Sequence, residues 1–188
     1  MVRSVSTLTR EDYFEEALRL LAEGGARAVT IAALCERLAV TKGSFYHHFE
    51  SGPVFLRDTL RYWERTYAKR LAAAAAEVAD PEARVHVLAD MASNLHHEAE
   101  TAIRALARSD AFAEEVQRRV DDERMEAVAA TLRELGFSAD DAERYAAMSL
   151  ALLVGAQHLG ADRRSVADVL RAPIDLLSGA LTAQLPTG

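Results

Sequence analysis

Apolar residues recur at helical spacing along most of the chain, and capping residues cut the pattern into segments. Phe14, Ala17, Leu18 and Leu21 line one face of a helix predicted over about Arg10 to Glu23. Thr9 caps it, with Asp12 three residues on as the acid of a capping box. Gly24 and Gly25 close it, since glycine takes the left-handed conformation that ends a helix. Thr30 caps a short second helix, Ile31 to Leu38, with Ile31, Leu34 and Leu38 pointing one way. Ala39 and Val40 form a tight turn, and Thr41 caps a third helix, Lys42 to Phe49. So short a connection forces the two helices to cross steeply. Val40 plugs the corner. Phe45 and Phe49, four apart, both face inward, which leaves Lys42, Ser44, His47 and His48 outside.

Ser51 and Pro53 open a long fourth helix, because proline is favoured at the first helical position. It is predicted to pass Trp63 and Tyr67 and end near Asp80. Further helices are expected from Asp80-Pro81 towards His97, and from Glu100 to Arg108. Another spans Asp110 to Leu135, closed by Gly136. Ser138 caps the next, Ala139 to about Leu159, which Gly160 closes. The last runs from Arg164 to Leu185, bent at Pro173. Nowhere do Val, Ile and Thr alternate in runs bounded by turn residues, so no strand is predicted. The fold class is all-α. A three-helix N-terminal helix-turn-helix domain, residues 1–52, precedes a six-helix C-terminal domain, residues 53–188.

Composition fits this picture. Hydrophobic residues make up 50% of the 188 and charged residues 27%, enough for both a core and a soluble surface. Cys35 is the single cysteine, which excludes an internal disulfide and suits a reducing cytoplasm. The N-terminus is polar and reads as no signal peptide. The most apolar stretch, Tyr145 to Leu159, is too short to span a bilayer, so a cytoplasmic protein without a membrane partner is expected. The net charge of −7 argues at first against nucleic acid. Its distribution matters more than its sum, though the asymmetry is mild and does not by itself mark a DNA-binding protein: residues 1–70 hold 11 Lys and Arg against 9 Asp and Glu, residues 71–188 hold 11 against 20. Any DNA-facing surface belongs in the first third, and the acidic remainder would be repelled by phosphate.

Residues 30–49 read TIAALCERLAVTKGSFYHHF. The threonine before Ile-Ala, the apolar turn residue, the glycine in the third helix and the closing Tyr-x-His-Phe resemble the DNA-binding signature of the TetR/AcrR family of helix-turn-helix transcriptional regulators. Within the later chain AIRALA at 102–107 and LRELG followed by SADDAE are similar to the body of many members. The resemblance implies a repressor that binds a double-stranded DNA operator as a homodimer and releases it on binding a small molecule. It implies phosphate contacts for Thr30, Tyr46 and His48, and a segment meeting base edges made of Lys42, Gly43, Ser44, Phe45 and His47. Thr41 caps the third helix and can present its amide end to a phosphate. Lys42 and His47 carry donors suited to base edges, whereas Phe45 could only touch a thymine methyl. Gly43 removes a side chain where the backbone approaches the groove floor. Arg10 is a further candidate phosphate contact. Family members usually have a lysine opening the fourth helix where this chain has Gly52, so weaker binding with a gentler salt dependence is expected.

Other readings of the same residues stand beside these. Tyr46 also suits a core aromatic with a wet hydroxyl, and His47-His48 a polar pair on a solvated helix. Cys35 reads as a small buried apolar residue. The segment Tyr145 to Leu159 is apolar nearly all round, and small residues Ala147, Ala151 and Gly155 recur every four. With Val154 and, on the last helix, Val169, Leu170, Ile174, Leu177 and Leu181, they form the dimer interface that the resemblance implies. An ordinary core helix is the alternative. For the effector, candidate lining residues are Trp63, Tyr67, Met91, His96, Phe112, Met125, Met148 and His158. Plain packing is the alternative, and their aromatic and methionine content favours a largely apolar ligand. His86, Asp90, Ser93 and His97 have metal-like spacing but read as a solvated face. No cofactor or metal is expected.

An enzyme is not expected: no phosphate loop, metal-ligand quartet or nucleophile elbow is present in the sequence. A helical adaptor impaired in DNA binding is the other rival, favoured by Gly52 and disfavoured by the intact stretch from Thr30 to Phe49.

Overall fold

The computed structural model describes residues 8–68, 73, 75–160 and 166–171, and all secondary structure among them is helical. The elements are α1 (Arg10–Gly24), a 3-10 turn (Ala26–Ala28), α2 (Ile31–Arg37), α3 (Lys42–His48), α4 (Gly52–Trp63), a π-turn (Glu64–Ala68), α5 (Pro81–Ser93), α6 (His97–Ala107), α7 (Ala111–Glu134) and α8 (Ala139–His158). Residues 166–171 are helical again. None of the described helices is long and apolar enough to cross a membrane. The described residues thus bear out the all-α fold class.

The packing forms two compact units that are not consecutive in sequence. One joins the chain up to Arg65 with His96–Gln117, the other Thr66–Leu95 with the chain from Arg118 on. The functional division expected at residue 52 therefore differs from the division by packing. The reason is α1. It buries Tyr13, Phe14, Leu20, Leu18 and Leu21, more than a single stripe. Tyr13, Phe14 and Leu20 join the core with α2 and α3, and α1 also packs along α6. Glu16 is buried in α1 as well, its carboxylate held by Arg19 at 2.7 Å and Arg37 at 2.8 Å. A buried acid is tolerable only when paired in this way. Gly24 is needed where α1 meets the 3-10 turn, because a Cβ there would lie 2.9 Å from that of Ala28.

The caps fall where the sequence places them. The Thr9 hydroxyl accepts from the Asp12 amide while the Asp12 side chain accepts from the Thr9 amide, a complete capping box. Thr30, Thr41, Ser51 and Ser138 accept from Ala33, Ser44, Val54 and Asp141 respectively.

Two boundaries differ from expectation. The long fourth helix loses its regular α-form after Trp63, where the π-turn Glu64–Ala68 follows. The helix expected to run towards His97 stops at Ser93, and α6 begins at His97 instead of Glu100. Here Ser93 Oγ and Asn94 Nδ2 both donate to the Asp90 carbonyl, at 2.7 and 2.8 Å. Such side chains compete with the helical ladder and end it. The break turns His97 and Ser93 inward, while His86 and Asp90 are exposed, so the expected solvated stripe holds for only half its members. No metal-holding cluster occurs among the described residues.

Within the second unit, α7 and α8 form a hairpin closed at Gly136. Ala129, Leu132, Ala142 and Ala146 pack together, with Met125, Val128, Phe137 and Tyr145 around them. Ala89 and Leu95 pack with Leu153, Ala156, Val166 and Leu170 in a second cluster.

Candidate functional site

The third helix is a short rod with two unlike sides. Phe45 is fully buried and Phe49, its C-cap, is 3% exposed. Both belong to an aromatic cluster: Phe49 and Phe55 lie 4.7 Å apart centroid to centroid, Phe45 and Phe55 5.3 Å, Tyr13 and Phe49 5.5 Å. Edge-on and tilted ring pairs of this kind add specificity to ordinary apolar burial. Lys42, Gly43, Tyr46 and His47 are exposed, Tyr46 to 55%. The core-aromatic alternative for Tyr46 therefore fails. Thr30 and Thr41 are exposed as well, with their hydroxyls already engaged as caps.

The turn before this helix needs an unusual backbone. Ala39 has φ of 53°, a left-handed conformation that costs a non-glycine residue about 1–2 kcal/mol. The Val40 amide then donates to the Cys35 carbonyl at 2.9 Å. Val40 packs on the aromatic core, plugging the corner as its position predicts. Cys35 is buried and free.

Three residues take roles other than those expected. Phe45 cannot reach a base edge, because its ring is enclosed by the core. Ser44 is half-buried, and its hydroxyl shares a hydrogen bond with the Tyr13 hydroxyl at 3.0 Å. Arg10, though exposed, is engaged by the protein itself: its guanidinium donates to the His48 carbonyl and to Asp58. His48 is half-buried with its ring 5.4 Å from that of Tyr13. Tyr13, absent from the sequence-based site, thus touches both ends of the recognition segment. Its signal was present: it lies four before Ala17 and so shares the apolar arc of α1.

Gly43 has room for a side chain as far as the protein is concerned, since an added Cβ would meet only Thr41 Oγ1, at 3.5 Å. Gly52 opens α4, and its nearest neighbour for an added Cβ is Ile31, at 3.8 Å. Arg37 is held by Glu23 at 2.6 Å as well as by Glu16. These partners, Glu23 first, keep its guanidinium charged beyond its usual range.

In the second unit, α5, α7, α8 and residue 170 line a partly open cavity of about 100 Å³. Its wall includes Leu88, Met125, Leu132, Met148 and Leu153, with Arg124 and Tyr145 as polar members. Of the effector candidates it brings together Met125 and Met148. Met91 packs instead beside Ala75 and Leu88, and His158 is exposed with Nδ1 2.9 Å from the Val154 carbonyl. Trp63 and Phe112 belong to the other unit, as does His96, which is exposed at the start of α6. Trp63 is fully buried, and its Nε1 has no acceptor among the described residues. Tyr67 lies in the π-turn, half-buried.

On α8, Ala142, Ala146, Leu153 and Ala156 face the core, while Ala147, Met148, Ala151, Gly155 and Leu159 are exposed. Val154 is half-buried, Val169 is exposed and Leu170 is buried in the cavity wall. Ile174, Leu177 and Leu181 lie outside the described residues.

This is the fold of a helix-turn-helix regulator: a small aromatic-cored head with a two-sided rod, and a helical body. Residues 14–51 match the family model of bacterial regulatory proteins, tetR family. The resemblance read from residues 30–49 is therefore shown. Solved structures extend the likeness in fold beyond the head. A regulator from Saccharomonospora viridis in complex with choline superposes with a TM-score of 0.75 at 21% identity, covering 88% of this chain and 95% of that one. A transcriptional regulator from Rhodococcus sp. Rha1 gives 0.72 at 20% identity, covering 92% and 97%. FadR from Bacillus subtilis, in complex with stearoyl-CoA, gives 0.63 at 13% identity, covering 87% and 98%. No curated protein matches the chain.

Proposed function

We propose that this chain is a sequence-specific DNA-binding transcriptional regulator, a repressor rather than an enzyme, acting in the cytoplasm as a homodimer and released from an inverted-repeat operator by a small molecule. One observation carries the reading: Lys42, Gly43, Tyr46 and His47 stand exposed on α3 while Phe45 and Phe49 wedge its other side into the core. A rod so mounted fits a major groove, with the preceding helix bracing it. Lys42 and His47 are the base readers, since both carry donors and are exposed. Thr30, Thr41, Tyr46 and His48 hold the backbone. Ser44 and Phe45 support the helix from inside.

The exposed small-residue face of α8, with Met148 and Leu159 beside it, is apolar surface suited to a second copy. Two-fold pairing then matches two half-sites about one helical turn, roughly 34–36 Å, apart. The apolar cavity supports a largely apolar effector. Relatives in fold are recorded with choline and with stearoyl-CoA, which supports small-molecule sensing without naming this chain's ligand. Release follows if the ligand prefers a state in which α4 moves the heads out of register.

Selection of bound sequences from a random DNA pool tests this. Enrichment of one inverted repeat, with half-sites one turn apart, is expected. If no sequence is enriched at low salt, the reading fails and the adaptor alternative gains.

A further inference from the structure

Arg10 stands at the first turn of α1, exposed enough to reach solvent: its side chain is 45% accessible. A basic residue at the edge of a DNA-binding head is ordinarily read as a phosphate contact. The geometry here points elsewhere. One guanidinium nitrogen donates to the His48 carbonyl, at the last residue of α3. The other lies 2.9 Å from Asp58 Oδ2 on α4. The guanidinium carbon sits 4.4 Å from the centroid of the Phe49 ring, which caps α3. Three groups from two elements thus converge on one planar cation. The second Asp58 oxygen takes Arg61 at 3.2 Å, and Arg61 in turn lies 5.1 Å from the Phe112 ring.

Resting on the DNA-binding reading, we propose that Arg10 is a positioning residue for DNA recognition, not a phosphate ligand. Clamped by Asp58, it fixes the C-terminal end of α3. The helix has only two turns, so its last carbonyls have few intrahelical partners and its direction is set by what holds its ends. A guanidinium suits the task because its rigid fork serves a carbonyl and a carboxylate at once and can also lie over a ring. Lysine cannot do all three. Asp58 matters for the same reason. Its negative charge beside a DNA-binding surface would otherwise only repel phosphate.

That last point gives a test in which the two roles predict opposite signs. The full-length protein is titrated with the operator selected from the random pool, and with a mixed-sequence duplex lacking it, over a series of salt concentrations. Asp58→Asn removes a negative charge. Simple electrostatics predicts tighter binding to both duplexes. The positioning role predicts operator binding weaker by roughly tenfold, the loss expected for a charge-assisted contact, with binding to the mixed duplex unchanged or slightly tighter. Arg10→Met is expected to weaken operator binding similarly while the slope of log affinity against log salt stays at the parent value. A phosphate ligand would lower that slope by about 0.9. Arg10→Lys, which keeps the charge and serves as the second variant should the methionine variant fail to fold, is expected to lose most of the operator affinity. Parent-like affinity in Arg10→Lys, a lowered slope in Arg10→Met, or operator binding in Asp58→Asn as tight as the parent would each overturn the proposal. So would unchanged operator affinity per folded protein in all three, the mark of a role in stability alone. If the parent itself binds no DNA, the functional reading falls with it, a result distinct from all of these.

Discussion

Tyr13 and Ser44 share a hydrogen bond of 3.0 Å between their hydroxyls, across 31 residues of sequence and in the half-buried seam between α1 and α3. Tyr13 is otherwise enclosed, with its ring against Phe45, His48 and Phe49. Its hydroxyl therefore ties α3 to α1 at Ser44, beside the buried Phe45. Tyr13→Phe keeps the ring and removes the bond. A loss of about 1 kcal/mol in unfolding free energy is expected, the usual net worth of a neutral hydrogen bond. The freed Ser44 hydroxyl should also broaden base preference next to Lys42. Denaturant melts and selection from a random pool measure the two effects. A variant with parental stability and parental preference would show the bond to be idle.

His47 and His48 are adjacent but differently placed. His47 is exposed on the outer side of α3, whereas His48 is half-buried against Tyr13 with its carbonyl held by Arg10. His47→Ala is expected to relax preference at one operator position, worth about 1–3 kcal/mol of discrimination, with little change in stability. His48→Ala should weaken binding to all sequences alike and lower the melting temperature as well. Quantitative gel shifts on the operator and its single-base variants separate these patterns. Identical profiles for the two variants would refute the assignment.

Most of the head was legible from residues alone, because its signals are local. Thr9, Thr30, Thr41 and Ser51 each announce a helix start, and each accepts the expected amide. The inward placement of Phe45 and Phe49 followed from their spacing. What escaped depends on contacts between distant residues. No periodicity shows that Arg10 would meet Asp58, or that Ser44 would be claimed by Tyr13. The break at Ser93 was hidden because apolar spacing continues through Ala92 and Leu95, while the cause lies in two side chains bonding one carbonyl. Aromatic and methionine character, the only mark of the effector candidates in the sequence, says nothing about enclosure. Hence only Met125 and Met148 reach the cavity.

The turn between α2 and α3 carries a correctable cost. Ala39 holds φ of 53° in an exposed position. Ala39→Gly removes the clash between Cβ and the backbone, against a smaller entropic penalty in the unfolded chain. The net expectation is a gain of roughly 0.5–1 kcal/mol, read as a higher midpoint in denaturant with unchanged slope. DNA affinity should stay at the parental level, since no side-chain contact is lost. A less stable variant would mean that the glycine loosens the turn more than it relieves it.

The start of α1 should respond to acid. The Asp12 carboxylate accepts from the Thr9 amide at 2.7 Å and from the Thr9 hydroxyl at 2.9 Å. The backbone bond first and the hydroxyl bond second hold its pKa below the ordinary 3.8. A carboxyl whose pKa is lower in the folded state binds its proton more tightly when unfolded. Its contribution is therefore complete above the ordinary value and disappears as pH falls through the lower, folded one. Between neutral pH and about pH 5 the capping box stays intact, and Arg10, its neighbour, keeps its place. Below pH 3.8 the first turn should fray before the rest of the helix. Hydrogen exchange at the amides of Asp12 and Tyr13, followed from pH 5 to pH 2.5, reports this directly once the intrinsic pH dependence is removed. Asp12→Asn should abolish the acid-dependent part and start from a more frayed turn at neutral pH. Protection in the parent that stays constant down to pH 2.5 would show that the carboxylate is not what closes the helix.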